Sequence, residues 1–299
     1  MAQAEVWTVG RLLAWTTEFL KRHGSQTPRL DAEVLLAEAL GCRRIDLYTA
    51  FEEVPSEAAR ATFRQLVQRR AEGTPVAYLV GRREFYSLCF RVTADVLIPR
   101  PETELVVMTL IELAKARLAK DPEQPITVCD IGTGSGAIAV CVAKHLPQAR
   151  VTAVDTSAAA LAVARQNAEM HGVAGQIEFL QSDLLAAVPP ERRFHFIASN
   201  PPYVSEAEFE RLARDIRDFE PRAALVAGPL GTEVIARLVP QAARRLEPGG
   251  HLLIEISPMI HEAVQAILRA EALLEIGLTV RDAARHPRVV QARRVAETP

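Results

Sequence analysis

Seven residues, Asp130-Ile-Gly-Thr-Gly-Ser-Gly136, constrain this chain more than any others. They follow the apolar, strand-like segment Ile126 to Cys129 and run directly into Ala137-Ile-Ala-Val-Cys-Val-Ala143, whose composition is helical. The glycines therefore stand at a strand-to-helix turn, where the chain reverses sharply and where a side chain would hold a ligand away from the backbone. Gly132, Gly134 and Gly136 carry no Cβ. With Thr133 and Ser135 they are expected to form the floor of a pocket for a nucleotide-like cofactor, with bare backbone N–H groups facing it.

That run alone admits two chemistries. Gly132, Gly134 and Ala137 satisfy the relaxed dinucleotide pattern G-x-G-x-x-G/A, and Asp155 ends the next apolar strand, where a ribose-binding acid belongs. A nicotinamide-dependent oxidoreductase would share these features. Asn200-Pro-Pro-Tyr203, after the later strand Phe194 to Ser199, is foreign to such an enzyme. Pro201 and Pro202 fix two φ angles and remove two N–H donors, leaving a stiff loop rich in acceptors. The side-chain oxygen of Asn200 and a neighbouring backbone carbonyl suit the two N–H bonds of a planar NH2 group, and Tyr203 offers a ring face for it to pack on. Asn200, Pro201, Pro202 and Tyr203 are thus the candidate catalytic residues, with Asn200 also beside the cofactor. The substrate should carry an amide or an exocyclic amine.

Composition narrows the remaining classes. A chain of 299 residues, 49% hydrophobic, can bury one large core and a small one. The net charge of −2 offers no basic excess for stable nucleic-acid binding. Cys42, Cys89, Cys129 and Cys141 show no paired spacing and the histidines no H-x-x-x-H, so neither a disulfide nor a metal is expected. No apolar segment approaches the roughly 20 residues of a bilayer span and no leader pattern opens the chain, so a soluble cytoplasmic protein is expected.

In chain order, helical periodicity runs from Thr8 to about Gly73, with Thr8 and Ser56 as caps and Gly24, Gly41 and Gly73 as stops. Residues 1–80 are assigned to a helical domain for substrate recognition, with Trp7, Trp15 and Tyr48 as packing residues. Residues 81–104 form a connector: two short strands, Glu84 to Ser87 and Cys89 to Val92, then Leu97-Ile-Pro-Arg-Pro-Glu-Thr-Glu104, which cannot be helical before Pro101. Arg82, Arg83, Arg91 and Arg100 read equally as contacts to an acidic partner or as solvated surface. From 105 to 299 strands alternate with helices, which implies a doubly wound parallel α/β sheet. The expected strands are Ile126 to Ile131, Arg150 to Asp155, Gln176 to Gln181, Phe194 to Ser199, His251 to Ile256, Leu274 to Val280 and Val289 to Arg294. Asp155 is placed to accept from ribose hydroxyls, Asp183 from an adenine amine, with Leu184 against the ring; Gln166 and Asn167 read as structural. Leu246 to Gly250 reads as a helix stop and tight turn.

Four runs together, Val96-Leu-Ile-Pro-Arg-Pro-Glu-Thr-Glu104, Gly132 to Gly136, Asn200-Pro-Pro-Tyr203 and Phe219-Glu-Pro-Arg-Ala-Ala-Leu225, resemble the peptide chain release factor N5-glutamine methyltransferases, the PrmC or HemK family. The likeness spans nearly the whole chain. It implies a class I methyltransferase fold, a Rossmann-like seven-stranded sheet whose last strand is antiparallel, preceded by the helical domain. It implies S-adenosylmethionine as cofactor, with Gly132 to Gly136 under its methionine end, Asp155 on its ribose and Asp183 or Leu184 at its adenine. The implied substrate is the Gly-Gly-Gln glutamine of class 1 release factors; a monomer is expected. Leu184 departs from the bulky aromatic that some members carry there. An adenine-N6 DNA methyltransferase and a non-catalytic release-factor-binding protein are the competing assignments.

Overall fold

The computed structural model describes residues 6–295. It divides into two compact units, one formed by the chain up to Arg82 together with Ala213–Phe219, the other by Arg83–Leu212 and Glu220 onward.

The first unit is helical. Helix α1 (Val9–Arg22) starts where the Thr8 hydroxyl accepts from the Arg11 N–H, α2 (Pro28–Leu40) has proline at its first position and stops at left-handed Gly41, and α3 (Glu57–Ala71) is capped by Ser56. Leu13, Leu20, Leu35, Leu36 and Phe63 interlock between these helices. Buried Asp31 accepts from Ser25 and Thr27 and pairs with Arg70 at 2.8 Å, while Arg70 also reaches Asp215 at 3.6 Å, so one guanidinium ties the later segment to the bundle. Two expectations fail here. Trp15 is 48% and Tyr48 51% exposed. Trp15 stacks on Phe19 on the outer side of α1, and Tyr48 is held by its hydroxyl on Glu33 at 2.7 Å, so both are rim residues rather than core. Trp7 is half-buried against the bundle core, as expected.

The second unit opens with a hairpin, β1 (Arg82–Phe85) and β2 (Leu88–Arg91), and α4 (Glu104–Leu118). Then come β3 (Ile126–Ile131), α5 (Ala137–His145), β4 (Ala149–Asp155), α6 (Ala158–Met170), β5 (Ile177–Gln181) and β6 (Phe194–Ser199). A two-residue pairing of β7 (Val204–Ser205) with β8 (Val226–Gly228) follows, then α7 (Glu233–Arg245), β9 (Leu246–Glu255), α8 (His261–Arg269), β10 (Leu274–Ile276), β11 (Val280–Arg281) and β12 (Pro287–Arg294). The main sheet runs β10-β12-β9-β6-β3-β4-β5, with β11 paired to β12. Strands β9, β6, β3, β4 and β5 are parallel, and β12 lies antiparallel between β9 and β10.

Because both faces are covered, each central strand is largely apolar and sends alternate residues to two cores. Val128, Phe196 and Leu253 pack with Leu110 and Val140 on one side; Cys129, Ile197 and Ile254 pack with Leu238 and Val264 on the other. The sequence expectation differs at two places. The strand expected over Leu274 to Val280 is two strands, because the chain leaves the ladder after the Gly277 N–H has bonded the Gln291 carbonyl, which makes eight strands where seven were expected. Leu246 to Gly250 is not a free turn: Leu246 already pairs with Phe194, and a register shift before Phe196 absorbs the glycines into the start of β9. Among the described residues no helix is long and apolar enough to cross a membrane.

The chain winds from β3 through β4 to β5, then crosses back to place β6 on the other side of β3. That reversal opens a crevice at the carboxyl ends of β3 and β6, where ligands of doubly wound sheets bind.

Candidate active site

Ile131, the last residue of β3, pairs with Ser199, the last residue of β6, and the Ser199 hydroxyl donates to the Ile131 carbonyl at 2.7 Å. Two motifs far apart in sequence therefore leave the sheet side by side. Gly132, Thr133, Gly134 and Ser135 from one, and Asn200, Pro201 and Pro202 from the other, line a single cavity of about 370 Å³. Asp155, Asp183 and Leu184 line it as well.

The glycine turn is held from within. Gly132, Gly134 and Gly136 have φ of 72°, 55° and 82°, a region that costs a residue with a Cβ about 1 kcal/mol or more. The N–H groups of Gly132 and Thr133 bond the Val154 carbonyl, that of Gly134 bonds Asp155 Oδ2, and that of Gly136 bonds the Thr133 carbonyl. This corrects the expectation that the glycines offer bare donors: four of the loop's donors are committed to shaping it. Gly136 is not on the cavity wall. A Cβ there would stand 3.2 Å from that of Ala164, so this glycine lets α5 close against α6.

Two buried side chains brace the turn. Asp130 Oδ2 accepts from the Thr133 hydroxyl at 2.6 Å and the Ala139 N–H at 3.1 Å, while Oδ1 has no partner and burial pushes the carboxyl up to about 7. Asn167 donates to the Ser135 carbonyl at 2.8 Å and the Arg91 carbonyl at 3.0 Å, and accepts from the Arg91 N–H at 2.7 Å. Its structural role is as expected, and specific: it pins the glycine turn to the hairpin.

Asp155 accepts the Gly134 N–H on one oxygen and the Ser157 N–H on the other, both at 2.9 Å, which leaves each oxygen a further lone pair. Asp183 is ion-paired with Arg237 at the cavity edge. Leu184 is 7% exposed with φ of 51°, a conformation rare for a branched side chain, and its apolar body forms part of the wall.

Asn200 gives its amide nitrogen to the Thr103 hydroxyl at 3.0 Å, so its oxygen is the acceptor end. Tyr203 does not offer its ring to the cavity. It packs with the apolar cluster under the sheet end and its hydroxyl reaches Glu255 Oε1 at 3.3 Å, where burial, with that carboxylate beside it, holds the phenol well above its usual range. Its place is that of an anchor for the loop.

Sequence reasoning treated 81–104 as a connector, yet Val96, Leu97, Pro99, Arg100 and Thr103 line the same cavity. The signal was the pair of prolines at 99 and 101, which keeps this run extended across the pocket. Arg100 is not bare surface. It pairs with Glu220, which is 5% exposed and also accepts the Ile98 N–H at 3.1 Å, so the run is fastened beside Pro221, Ala223 and Ala224 of the same wall.

The site is a pocket in which the glycine turn meets the proline-stiffened loop. Residues 11–81 match the PrmC N-terminal domain and residues 105–217 the methyltransferase small domain. The chain is 51% identical over 284 residues, 95% of each chain, to the release factor glutamine methyltransferase of Rhodopirellula baltica. It is 44% identical over 265 residues to that of Moorella thermoacetica, covering 88% of this chain and 90% of the other. Among solved structures, the hMettl16 catalytic domain in complex with MAT2A 3′UTR hairpin 6 superposes with a TM-score of 0.54 at 16% identity, over 77% of this chain and 82% of that one. The T. thermophilus 16S rRNA N2 methyltransferase RsmC, in complex with AdoMet and guanosine, gives 0.52 at 21% identity, over 71% and 49%. The fold is that of the class I S-adenosylmethionine-dependent methyltransferases.

Proposed function

The chain belongs to the release factor glutamine methyltransferase family, and we propose that it transfers a methyl group from S-adenosylmethionine to the N5 amide nitrogen of the Gly-Gly-Gln glutamine of class 1 peptide chain release factors. The observation that carries this reading is the shared cavity in which the glycine turn and Asn200-Pro201-Pro202 meet.

The residues present fit that cofactor. A cavity of about 370 Å³ is within the ordinary range for ligand pockets. Asp155 keeps acceptor capacity for two ribose hydroxyls, Leu184 and Ile138 offer apolar walls to a flat base, and Asp183 an acceptor at the rim. Gly132, Thr133, Gly134 and Ser135 leave room at the floor for the amino-acid end.

When bound, S-adenosylmethionine supplies a methyl group already activated on a sulfonium. What the protein must correct is the other reactant, because an amide lone pair is delocalised into its carbonyl. Asn200 Oδ1, fixed as an acceptor, and a carbonyl of the proline loop take the two N–H bonds of the glutamine NH2 and hold its nitrogen in line. As positive charge builds on that nitrogen both contacts strengthen, so they favour the transition state over the ground state. No base needs to act before the methyl moves. Tyr203 and the two prolines keep the loop rigid.

Residues 1–80 serve recognition of the release factor, 81–104 carry the hairpin and the proline-rich run, and 105–299 carry the chemistry. The protein works in the cytoplasm as a monomer, and its net charge of −2 supports a partner recognised as protein rather than nucleic acid.

Asn200→Ala tests the assignment. Methyl transfer, followed by mass spectrometry of the Gly-Gly-Gln peptide, should fall roughly 10²- to 10³-fold, as when one transition-state contact is removed, with the cofactor dissociation constant little changed. Equal loss of binding and turnover would refute the role given to Asn200.

A further inference from the structure

Leu184, between β5 and β6, has a φ of 51° although it is neither glycine nor asparagine, and such a backbone persists only where its surroundings hold it. Part of that hold is local. The Ser182 N–H bonds the Asp155 carbonyl at 2.9 Å, the Ala186 N–H the Asp183 carbonyl at 3.1 Å, and the Ala187 N–H the Ser182 hydroxyl at 2.9 Å. The rest comes from α7, where Arg237 and Gln241 stand four residues apart and so share one face. Gln241 accepts the Leu185 N–H at 3.3 Å and donates to the Arg237 carbonyl at 3.1 Å, while the Arg237 guanidinium donates to Asp183 Oδ2. One helix face thus grips the turn on both sides of Leu184, and Asp183, Leu184 and Arg237 all line the cavity.

Stability does not account for the Arg237 contact. Both partners are exposed, and an exposed ion pair adds little to a fold. Its effect is on the carboxylate. Unpaired at a rim, the Asp183 side chain would turn among several rotamers; engaged through Oδ2, it is held in one, with Oδ1 left to accept. We propose that Arg237 is a specificity-determining residue for the cofactor: by holding Asp183 as a fixed acceptor at the pocket rim, it makes the site select a purine with a 6-amino group over one with a 6-oxo group.

The inference rests on the reading that sets the adenine end against Leu184 and Asp183, and adds to it what enforces the choice of base. A 6-amino group offers hydrogens to the carboxylate, whereas a 6-oxo group sets oxygen against oxygen. A mobile carboxylate could swing away from that clash, and an unpaired guanidinium could swing in and donate to the oxo group. The ion pair prevents both movements. Covering by a base also shields the pair from water, which strengthens the attraction between its partners.

The test measures, by calorimetry, the dissociation constants of S-adenosylhomocysteine and of its 6-oxo counterpart, S-inosylhomocysteine. Wild type should prefer the adenosyl compound by about tenfold or more, as for one hydrogen bond to a charged acceptor. Arg237→Ala should cut that preference about fivefold, near the ceiling for an exposed pair, and Arg237→Lys should restore part of it. Gln241→Ala, which loosens the turn under either base, should weaken both compounds alike and keep their ratio, the pattern of a purely structural role. Arg237 is exposed, so its replacement leaves the fold intact. An Arg237→Ala protein that keeps the wild-type preference, or that binds S-adenosylhomocysteine more tightly than wild type does, overturns the proposal. An unchanged preference in Asp183→Ala is a separate outcome, which moves the base away from this acid and sinks the placement of the adenine itself.

Discussion

Asn167→Ala offers the sharpest measure of how the cofactor turn is held. Its side chain is fully buried on α6 and makes three hydrogen bonds, two to the backbone of Arg91 and one to the Ser135 carbonyl. Losing the two bonds to the Arg91 backbone costs about 1 kcal/mol each. Ser135 is 3% exposed, so its carbonyl is left without a partner, at about 1 to 3 kcal/mol. The sum is about 3 to 5 kcal/mol, a large share of a domain's stability. Urea unfolding should show the midpoint falling with the slope unchanged. The turn, released from its brace, should also bind cofactor about tenfold more weakly, roughly 1.4 kcal/mol, as read by calorimetry. Gln166→Ala, one position earlier on the exposed side of the same helix, should stay within about 0.5 kcal/mol of wild type. If Asn167→Ala costs less than about 1 kcal/mol and leaves cofactor affinity intact, the reasoning that makes this residue the clasp between hairpin and turn is wrong.

Two further outcomes follow from the acids around the site. Asp155→Ala removes the acceptor of both the Gly134 and Ser157 N–H groups along with the ribose contacts, so cofactor affinity should drop about 10²-fold before turnover at saturation does; an unchanged dissociation constant by calorimetry would take Asp155 out of the site. Asp130 is raised by burial from 3.8 to about 7, so between those values the folded state holds a proton that the unfolded chain has already released. Its contribution to stability is fully present below pH 4 and is lost as pH rises to about 7, by up to about 4 kcal/mol. Asp130→Asn should lack that slope, so the stability difference between variant and wild type should shift in the variant's favour from pH 4 to pH 8, and a constant difference in urea midpoints would contradict the burial argument.

What the sequence disclosed was whatever depends on local pattern. The five parallel strands were visible because strands covered on both faces are largely apolar, as in Phe196-Ile-Ala198, and the glycine turn was visible because φ values near 55° to 82° admit little else. The hidden part depends on which strands lie side by side. Nothing in the spacing of Ile131 and Ser199 says that β3 and β6 pair; the crossover after β5 decides it, and the cavity exists because of that crossover. Direction was hidden for the same reason. Tyr203 was expected to offer its ring face to the substrate, but an acceptor waits for its hydroxyl on β9, and burying the ring there stabilises more than exposing it would.

The same logic exposes a signal that was in view and went unused. Glu255 is an acid inside the run His251-Leu-Leu-Ile-Glu-Ile256, which otherwise reads as a strand buried on both faces. A carboxylate is almost never enclosed unless it is paired, since isolation in an apolar interior costs several kcal/mol. A strand that carries one must therefore bring it to a donor, and in this sheet that donor is the Tyr203 hydroxyl, 3.3 Å from Glu255 Oε1, in the segment that holds the proline loop in place. A lone acid in an apolar strand thus marks the place where a buried donor must meet it, here the tyrosine that anchors the proline loop.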